Sequence, residues 1–399
     1  MCSCSGIKQH KHQRQQEQKE KVANIDNNLP QKGSLLKRFV TSMPKVEFHV
    51  HLEGTLEPEL VFTLARRNSI DLSQYFKHVN DLRSKYESFT SLNSFLQVYY
   101  RCASVLRTDR DFYDATMAYL SRAKKDNVVY AELFFDPQCH KQRGVSFETM
   151  ADGILAALDD AYHELDIKCK LIPCFLRHLS EASAMGMWSE IFKYFQQHPE
   201  AREKIIGIGL DSDEQDNPPS TSKFYGDGVF WKIRHASKSV VGDMHIVAHA
   251  GEEGPSNYIS QALDVLRSER IDHGVQCLSD DKLVQRLREK RIPLTVCPLS
   301  NVKLGVFDTL KQHNLKRMLD LGLNVSIHSD DPAYFGGYIT QNYLAVIDAL
   351  DMNERDIMCL AINATNSTFV LESERVVMRQ QLRDAAYCLA TSPDAENKI

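Results

Sequence analysis

The stretch "VVYAELFFDP", residues 128–137, decides the fold class of this chain. It is an almost unbroken apolar run, short enough for a strand. A strand with one wet face alternates apolar and polar residues, whereas a strand buried on both faces is apolar throughout. The run therefore predicts a strand of a parallel sheet that is covered on both sides.

Seven further runs of this kind follow one another along the chain, and helical patterns fill most gaps between them. One such pattern is "SDDKLVQRLREK", whose first three residues suit a helix N-terminus. Eight strand–helix units predict an α/β fold, the (β/α)8 TIM barrel. A doubly wound open sheet is the alternative, although no glycine-rich phosphate-binding motif follows any run. The predicted strands are residues 45–52, 128–137, 169–178, 205–212, 244–252, 270–276, 293–301 and 323–332.

The segments outside these units predict a tail and two additions. Residues 1–42 are rich in Gln, Lys, Asn and His, so we expect a disordered tail before a single domain at 43–399. Residues 53–127 are too many for one crossover helix and predict a helical insertion over one mouth of the barrel, after the first strand. Segments beyond about residue 353 predict closing helices.

Composition narrows the function classes. The chain has 399 residues, 43% hydrophobic and 25% charged, with a formal net charge of -5. Nothing here favours a nucleic-acid partner. No apolar run reaches the roughly 18 residues of a membrane span, and no signal peptide is expected. The 10 cysteines are mostly scattered, which favours reduced thiols. We expect a cytoplasmic protein, with a nuclear location left open and the oligomeric state undetermined.

Metal-binding and acidic side chains gather where four predicted strands end, which is where barrel enzymes place their active sites. The first ends in "HVHLEG" (49–54), the fifth in "HAGE" (249–252), the sixth in "DHG" (272–274) and the eighth in "SDD" (329–331). Other histidines fall in the gaps and are expected on the surface; these are His78, His140, His163, His198, His235 and His313.

Three imidazoles and one carboxylate suit Zn²⁺ with an open position for water. We predict that His49, His51, His249 and Asp330 bind one zinc ion. Zinc lowers the pKa of a bound water towards roughly 7, which provides hydroxide near neutral pH. Any one of these residues has an ordinary structural explanation, but their joint position at the strand ends favours a catalytic centre.

Three more residues at the same strand ends suit proton transfer and substrate binding. His273 would orient the hydroxide or take its proton. Glu252, three residues after a predicted ligand, would deliver a proton from a closed pocket. Asp331 would accept a hydrogen bond from substrate or hydroxide. His178, at the end of the third predicted strand, is a weaker pocket candidate.

These motifs, in this order and spacing, resemble the adenosine/adenine deaminase family over about residues 43–370. The longer strings "FFDPQCHKQRG", "GLDSDE" and "PLTVCPLSNVKL" resemble its adenine-deaminating branch. The resemblance implies a zinc-bearing barrel that hydrolyses adenine to hypoxanthine and ammonia in purine salvage. It implies zinc binding by the four residues named above, proton donation by Glu252 to a ring nitrogen, and orientation of the hydroxide by His273.

Further expectations come from the resemblance. Asp331 would hydrogen-bond the purine, and the backbone N–H near Ser212 would meet the far ring nitrogen. Glu53 replaces the Asp that adenosine-deaminating members carry near the sugar, and its greater length would shrink the sugar site. His328 stands where many adenine-deaminating chains carry Asn, which leaves the detail of the pocket open.

Alternatives remain within and outside the family. Deamination of adenosine, or of N6-substituted adenines of the isopentenyl or N6-methyl type, would use the same chemistry. A zinc-binding module without turnover is the non-enzymatic alternative. Deaminases with a Pro-Cys-x-x-Cys motif are excluded because "PCFLR" (173–177) lacks the second cysteine. Two-metal barrels with a bridging lysine are disfavoured because "IIGIGLDS" (205–212) has none.

Overall fold

Eight strands form the centre of the described molecule and pair in parallel in chain order, which confirms the predicted barrel. They are β1 Lys45–Glu47, β2 Val128–Phe135, β3 Lys168–Leu176, β4 Gly207–Asp211, β5 His245–Ala250, β6 Arg270–His273, β7 Pro293–Val296 and β8 Asn324–Ile327. The computed structural model describes residues 34–89, 91–215, 217, 229–230, 232–233 and 244–391.

The barrel closes between its first and last strands through the segment that follows β1. The Asp330 N–H donates to the His49 carbonyl, and the His51 N–H donates to the Asp330 carbonyl, each at 3.0 Å. The predicted strand 45–52 is therefore too long. Its regular pairing ends at Glu47, and residues beyond it make single bridges to both neighbouring strands instead of a ladder.

Helices surround the strands, and several begin at side-chain caps that the sequence supplies. Thr108 and Asn353, for example, each accept a hydrogen bond from the backbone N–H three residues on. The helices are α1 Ser34–Ser42, α2 Pro58–Arg67, α3 Val79–Glu87, α4 Leu92–Ala103, α5 Asp109–Lys125, α6 Pro137–Lys141, α7 Phe147–Leu165, α8 Glu181–Gln197, α9 Ser256–Gln261, α10 Asp281–Glu289, α11 Pro298–Lys303, α12 Leu315–Asp320, α13 Pro332–Phe335, α14 Ile339–Ala349, α15 Glu354–Asn366 and α16 Glu372–Ala390.

The expected helical insertion after β1 is present as α2 to α5, and its helix α4 lies over the barrel mouth. Phe95 and Tyr99, one turn apart on α4, are buried against the ring of Tyr334 at 5.4 and 5.9 Å between centroids. The closing helices expected beyond about residue 353 are α15 and α16. No helix in the described part of the chain is both long and apolar enough to cross a membrane.

The predicted tail is wrong for its last nine residues, because residues 34–42 form α1. Leu36, Phe39, Val40 and Met43 are buried, and they follow the spacing of one helix face. This face packs against the C-terminal helices. The average composition of the segment hid a short amphipathic helix, and the rest of the predicted tail, residues 1–33, lies outside the described residues.

Candidate active site

The four predicted metal ligands converge at the C-terminal mouth of the barrel. They are buried, and their ligating atoms lie within 4.8 Å of one another. His49 Nε2 and His51 Nε2 each lie 3.3 Å from Asp330 Oδ1. Two ligands of one zinc ion, each bound at about 2.0–2.2 Å, are separated by roughly 3.3–3.5 Å in a tetrahedral site. The spacing therefore fits a single small cation.

Hydrogen bonds at Nδ1 of His49 and His249 orient the Nε2 lone pairs of both rings towards the predicted metal position. Thr295 Oγ1 donates to a carboxylate, so it accepts from His49 Nδ1–H at 2.7 Å. His249 Nδ1 donates to the Leu210 carbonyl at 3.2 Å. Each contact leaves Nε2 deprotonated and free to ligate. His49 Nε2 is buried without a hydrogen-bond partner among the described residues, as expected of an atom that binds a metal.

The acid and the imidazole predicted for catalysis lie beside this ligand set. His273 Nε2 is 3.5 Å from Glu252 Oε2 and 3.7 Å from Asp330 Oδ2. Asn301 Nδ2 lies 3.0 Å from Glu252 Oε1 and 3.2 Å from His273 Nδ1. An amide nitrogen only donates, so His273 accepts at Nδ1 and carries its proton on Nε2. Asn301 therefore sets the orientation of both groups.

His313 fixes Asn301 in turn, and this contact was not predicted. The Leu315 N–H donates to His313 Nδ1 at 3.1 Å, which places the imidazole proton on Nε2. His313 Nε2 then donates to Asn301 Oδ1 at 3.2 Å. The expected surface position of His313 is wrong, because the residue is 4% exposed. Its sequence neighbourhood resembles a loop and carries no sign of burial.

Burial sets the protonation of the catalytic pair. It raises the pKa of Glu252 well above its ordinary value, and the nearby Asp330 carboxylate adds to the effect. Burial lowers the pKa of His273 well below its ordinary value, and the neighbouring His49 imidazole adds to this. The pair therefore combines a neutral carboxylic acid with a neutral imidazole, as a proton donor and a hydrogen-bond donor require.

A single carboxylate holds the loop that carries Glu252. Glu214 accepts hydrogen bonds from the consecutive N–H groups of Gly251, Glu252, Glu253 and Gly254 at 2.8–3.1 Å. Four charge-assisted bonds to one side chain fix the backbone of the loop against β4. The sequence analysis did not identify Glu214, although the residue lies in the quoted string "GLDSDE".

A cavity that opens to solvent lies above this polar floor. Its walls come largely from α4, whose apolar and aromatic side chains face the floor. Such a pocket, polar below and aromatic at the sides, suits a flat heteroaromatic ligand. The lining residues are His51, Leu92, Phe95, Leu96, Tyr99, Tyr100, Asp136, Asp211, Ser212, Glu214, His249, Glu252, His273, Leu304, Asp330 and Asp331.

Comparison with known proteins identifies the family. The family model described as adenosine deaminase matches residues 44–385. The chain belongs to the adenosine deaminase family. It is 50% identical over 332 residues to an adenine deaminase of Paraburkholderia xenovorans, covering 83% of this chain and 90% of that protein. An adenine deaminase of Ralstonia pickettii is 47% identical over 356 residues, 89% of this chain and 98% of its own.

One solved structure supports the family, and a second supports the fold. The crystal structure of an adenine deaminase from Arthrobacter aurescens is 42% identical, with a TM-score of 0.78, and covers 87% of this chain and 100% of its own. An amidohydrolase from Burkhoderia ambifaria with bound Zn shares the fold at 23% identity and a TM-score of 0.77, over 90% of this chain and 96% of its own.

Asp331 and Ser212 both line the cavity of this adenosine deaminase family member. Asp331 Oδ1 is buried without a hydrogen-bond partner among the described residues. A Cβ on Gly54 would lie 2.0 Å from that oxygen, so only glycine fits beside it. The Ser212 N–H, proposed to meet a ring nitrogen, donates to Asp211 Oδ1 at 2.5 Å. A purine would have to share that donor.

Glu53, which the resemblance places at the sugar site, is not among the residues that line the cavity. The side chain is fully buried in the turn after β1 and points towards α6. Glu53 Oε1 accepts from the Asp136 N–H at 3.1 Å and lies 2.6 Å from His140 Nε2. His140, expected on the surface, is also fully buried. Glu53 therefore supports the cavity wall from behind.

The two remaining histidine candidates lie away from the ligand set. His328 is fully buried and its ring packs at a tilt against that of Phe48, 4.1 Å between centroids, with Nε2 2.8 Å from Ser326 Oγ. It is not among the lining residues, so it packs the barrel interior rather than shaping the pocket. His178 Nδ1 lies 2.6 Å from Ser212 Oγ at the rim, which makes it a neighbour of the pocket.

The sequence analysis missed two carboxylates on the floor. Asp136 follows β2 and Asp211 ends β4, and both line the cavity. Their carboxylates and a ring nitrogen of His51 lie within 4.8 Å of one another. The strand-end rule that selected Asp330 applies equally to both, but neither has a histidine beside it in the sequence to draw attention.

Proposed function

We propose that this chain hydrolyses adenine to hypoxanthine and ammonia with one zinc ion per chain, as a step of purine salvage. One observation carries the proposal. Three imidazole nitrogens and Asp330 Oδ1 converge beside a buried Glu252 on the floor of the cavity. Chains 47–50% identical that are called adenine deaminases support adenine as the substrate. A cytoplasmic location remains a prediction, and no comparison supports a nuclear one.

The chain's donor set fits zinc. His49, His51, His249 and Asp330 would hold the ion, with the ring orientations set by Thr295 and the Leu210 carbonyl. Bound zinc would lower the pKa of a water towards about 7 and so supply a nucleophile at neutral pH. A related fold with bound Zn supports the choice of metal.

Glu252 would protonate the ring nitrogen beside the attacked carbon. Attack on an aromatic ring places negative charge on that nitrogen, and a proton neutralises it. Asn301 holds Oε1, so Oε2 is the oxygen left to face the substrate. The raised pKa keeps the carboxyl protonated until the base arrives.

His273 would orient the attacking oxygen rather than remove its proton. Its Nδ1 accepts from Asn301, so Nε2 carries a proton and can only donate. Asp331 Oδ1, buried without a partner among the described residues, would accept a hydrogen bond from the purine or the nucleophile. Together the two side chains fix nucleophile and ring in one geometry.

The test is product release by purified zinc-loaded protein from adenine, adenosine, N6-methyladenine and isopentenyladenine. We expect equal amounts of hypoxanthine and ammonia from adenine, and little product from the others. Release mainly from adenosine, or amine release mainly from an N6-substituted base, would replace adenine as the substrate. No release from any purine by zinc-bound protein would favour the binding module.

A further inference from the structure

We propose that Asp136 binds the N–H of the five-membered ring of the purine and so selects the free base over nucleosides. The inference rests on the proposed function and deepens it, because it assigns a specificity residue that the metal and proton-transfer chemistry do not require.

Asp136 is placed where the base must lie. It directly follows β2 at the catalytic mouth, is 1% exposed and lines the cavity. Its carboxylate lies within 4.8 Å of both His51 and Asp211. If the six-membered ring faces Glu252, the five-membered ring must cover the remaining floor, to which Asp136 belongs.

One side-chain oxygen of Asp136 is a hydrogen-bond acceptor that receives no donor among the described residues. Tyr99 OH donates to Oδ2 at 3.2 Å. Oδ1 is buried and has no hydrogen-bond partner among the described residues. A buried carboxylate oxygen is unfavourable without a donor, so a ligand N–H at this position would satisfy it.

A chain of buried groups holds Asp136 in place from behind. Arg143 donates to His140 Nδ1 at 2.6 Å, so His140 carries its proton on Nε2 and donates to Glu53. Glu53 accepts the Asp136 N–H through the same oxygen. This arrangement orients the carboxylate without using Oδ1, which leaves that atom for the cavity.

The chemistry of the ligand matches this acceptor. A free purine base carries a proton on one nitrogen of its five-membered ring, whereas a nucleoside carries the sugar there. A site built around a hydrogen bond rejects an analogue that lacks the donor by about 10⁴–10⁵-fold, because the buried acceptor is left unpaired. Asp136 would thus give the discrimination that the sequence analysis assigned to Glu53.

The experiment compares adenine with 9-methyladenine, in which a methyl group replaces that proton, in wild type and in Asp136→Ala. We expect wild type to prefer adenine by about 10³-fold or more in kcat/KM. Asp136→Ala should lose most of its kcat/KM for adenine and keep that for 9-methyladenine within a few-fold, with zinc content unchanged. Asp136→Asn, which keeps an acceptor oxygen, should retain part of the preference.

Equal losses for both substrates in Asp136→Ala would overturn the inference, as would a wild type that turns both over equally well. If Asp136→Ala loses zinc, the zinc-bound Asp136→Asn decides, and equal losses there also overturn it. These outcomes leave adenine turnover by wild type intact. Failure of the proposed function differs, because wild type would then release nothing from adenine.

Discussion

Asn301 shows how one side chain can set the states of two catalytic groups. Its amide donates to Glu252 Oε1 and to His273 Nδ1, and its oxygen accepts from His313. The tautomer of His273 follows from these contacts, since Nδ1 accepts and Nε2 must carry the proton. The proposed division of roles, Glu252 as acid and His273 as hydrogen-bond donor, depends on this residue.

Replacing Asn301 should therefore impair the chemical step more than binding. In Asn301→Ala, Glu252 and His273 lose their common donor, and we expect kcat for adenine to fall about 10–100-fold with a small change in KM, as for other supporting residues. Zinc content, measured on the same sample, should not change. An unaltered kcat would show that neither group needs Asn301.

His313 gives a prediction for stability against pH. Burial lowers the pKa of His313 to about 4, from an ordinary value near 6.5. As pH falls, the imidazole is protonated in the unfolded chain before it is protonated in the folded one. The contribution of neutral, buried His313 to the free energy of unfolding is therefore fully present above pH 6.5 and is lost between about pH 6.5 and 4.

The expected loss from this one group between pH 7 and pH 5 is about 2 kcal/mol in the free energy of unfolding. His313→Gln removes this ionisable group. Between pH 7 and pH 5 the free energy of unfolding of the variant should therefore fall by about 2 kcal/mol less than that of wild type, as measured by denaturant unfolding at both pH values. The same pH dependence in both proteins would contradict the lowered pKa of His313.

The site residues that could be predicted from the sequence are those that lie in recognisable sequence motifs. His49, His51, His249, Glu252 and Asp330 lie in strand-end motifs, and the structure brings them together. By contrast, the roles of Asn301 and His313 depend on contacts between loops that are apart along the chain, and no local pattern encodes them. The expectation for Glu53 came from the resemblance, and in the structure its carboxylate contacts the Asp136 N–H and His140 instead.

At the scale of elements, the apolar runs predicted eight strands because parallel strands in a barrel are buried on both faces. The strand boundaries were predicted less accurately. The first and last predicted strands extend to residues 52 and 332, whereas β1 ends at Glu47 and β8 at Ile327. Helix α1 was missed for a different reason. Four apolar positions in nine or ten residues are enough to pack a helix against the C-terminal helices, although they hardly alter the composition of a polar segment.

The contact of α5 with α7 depends on a glycine. A Cβ on Gly153 would lie 2.0 Å from the Asp109 carbonyl oxygen, so the helices must move apart to admit any side chain. We expect Gly153→Ala to lower the free energy of unfolding by about 1–3 kcal/mol, the usual cost of overpacking.

Gly186 is the matched control, because it also lies in a helix, α8, and has open space around its Cβ position. Gly186→Ala should be neutral or stabilise by about 0.5–1 kcal/mol, since alanine favours the helix. Denaturant titrations of the two variants measure the contrast. Similar free energies for both would refute the close approach at Gly153.

At the scale of the whole molecule, the proposed ligands come from three parts of the barrel: the segment after β1, strand β5 and the segment after β8. A metal ion held by all three stabilises the folded state by mass action, because the unfolded chain does not preserve the site. The barrel closure passes through the same segments, since Asp330 pairs by its backbone with residues after β1.

Removal of zinc should therefore lower the melting temperature as well as abolish turnover. A chelator added to wild type is expected to reduce Tm by several degrees, and zinc should restore it. His249→Ala should bind little zinc and show no further shift with chelator, whereas His178→Ala, at the rim, should retain zinc. Full zinc content in His249→Ala would remove His249 from the ligand set.

The central claim is that Glu252 beside a bound zinc deaminates adenine, and one measurement tests it most directly. Ammonia release from adenine is compared between wild type and Glu252→Gln, with zinc content determined on both samples. We predict about one zinc per chain in each protein, rapid release by wild type and a loss of at least about 10²–10⁴-fold in the variant. Substantial turnover by zinc-bound Glu252→Gln, or none by zinc-bound wild type, would contradict the account.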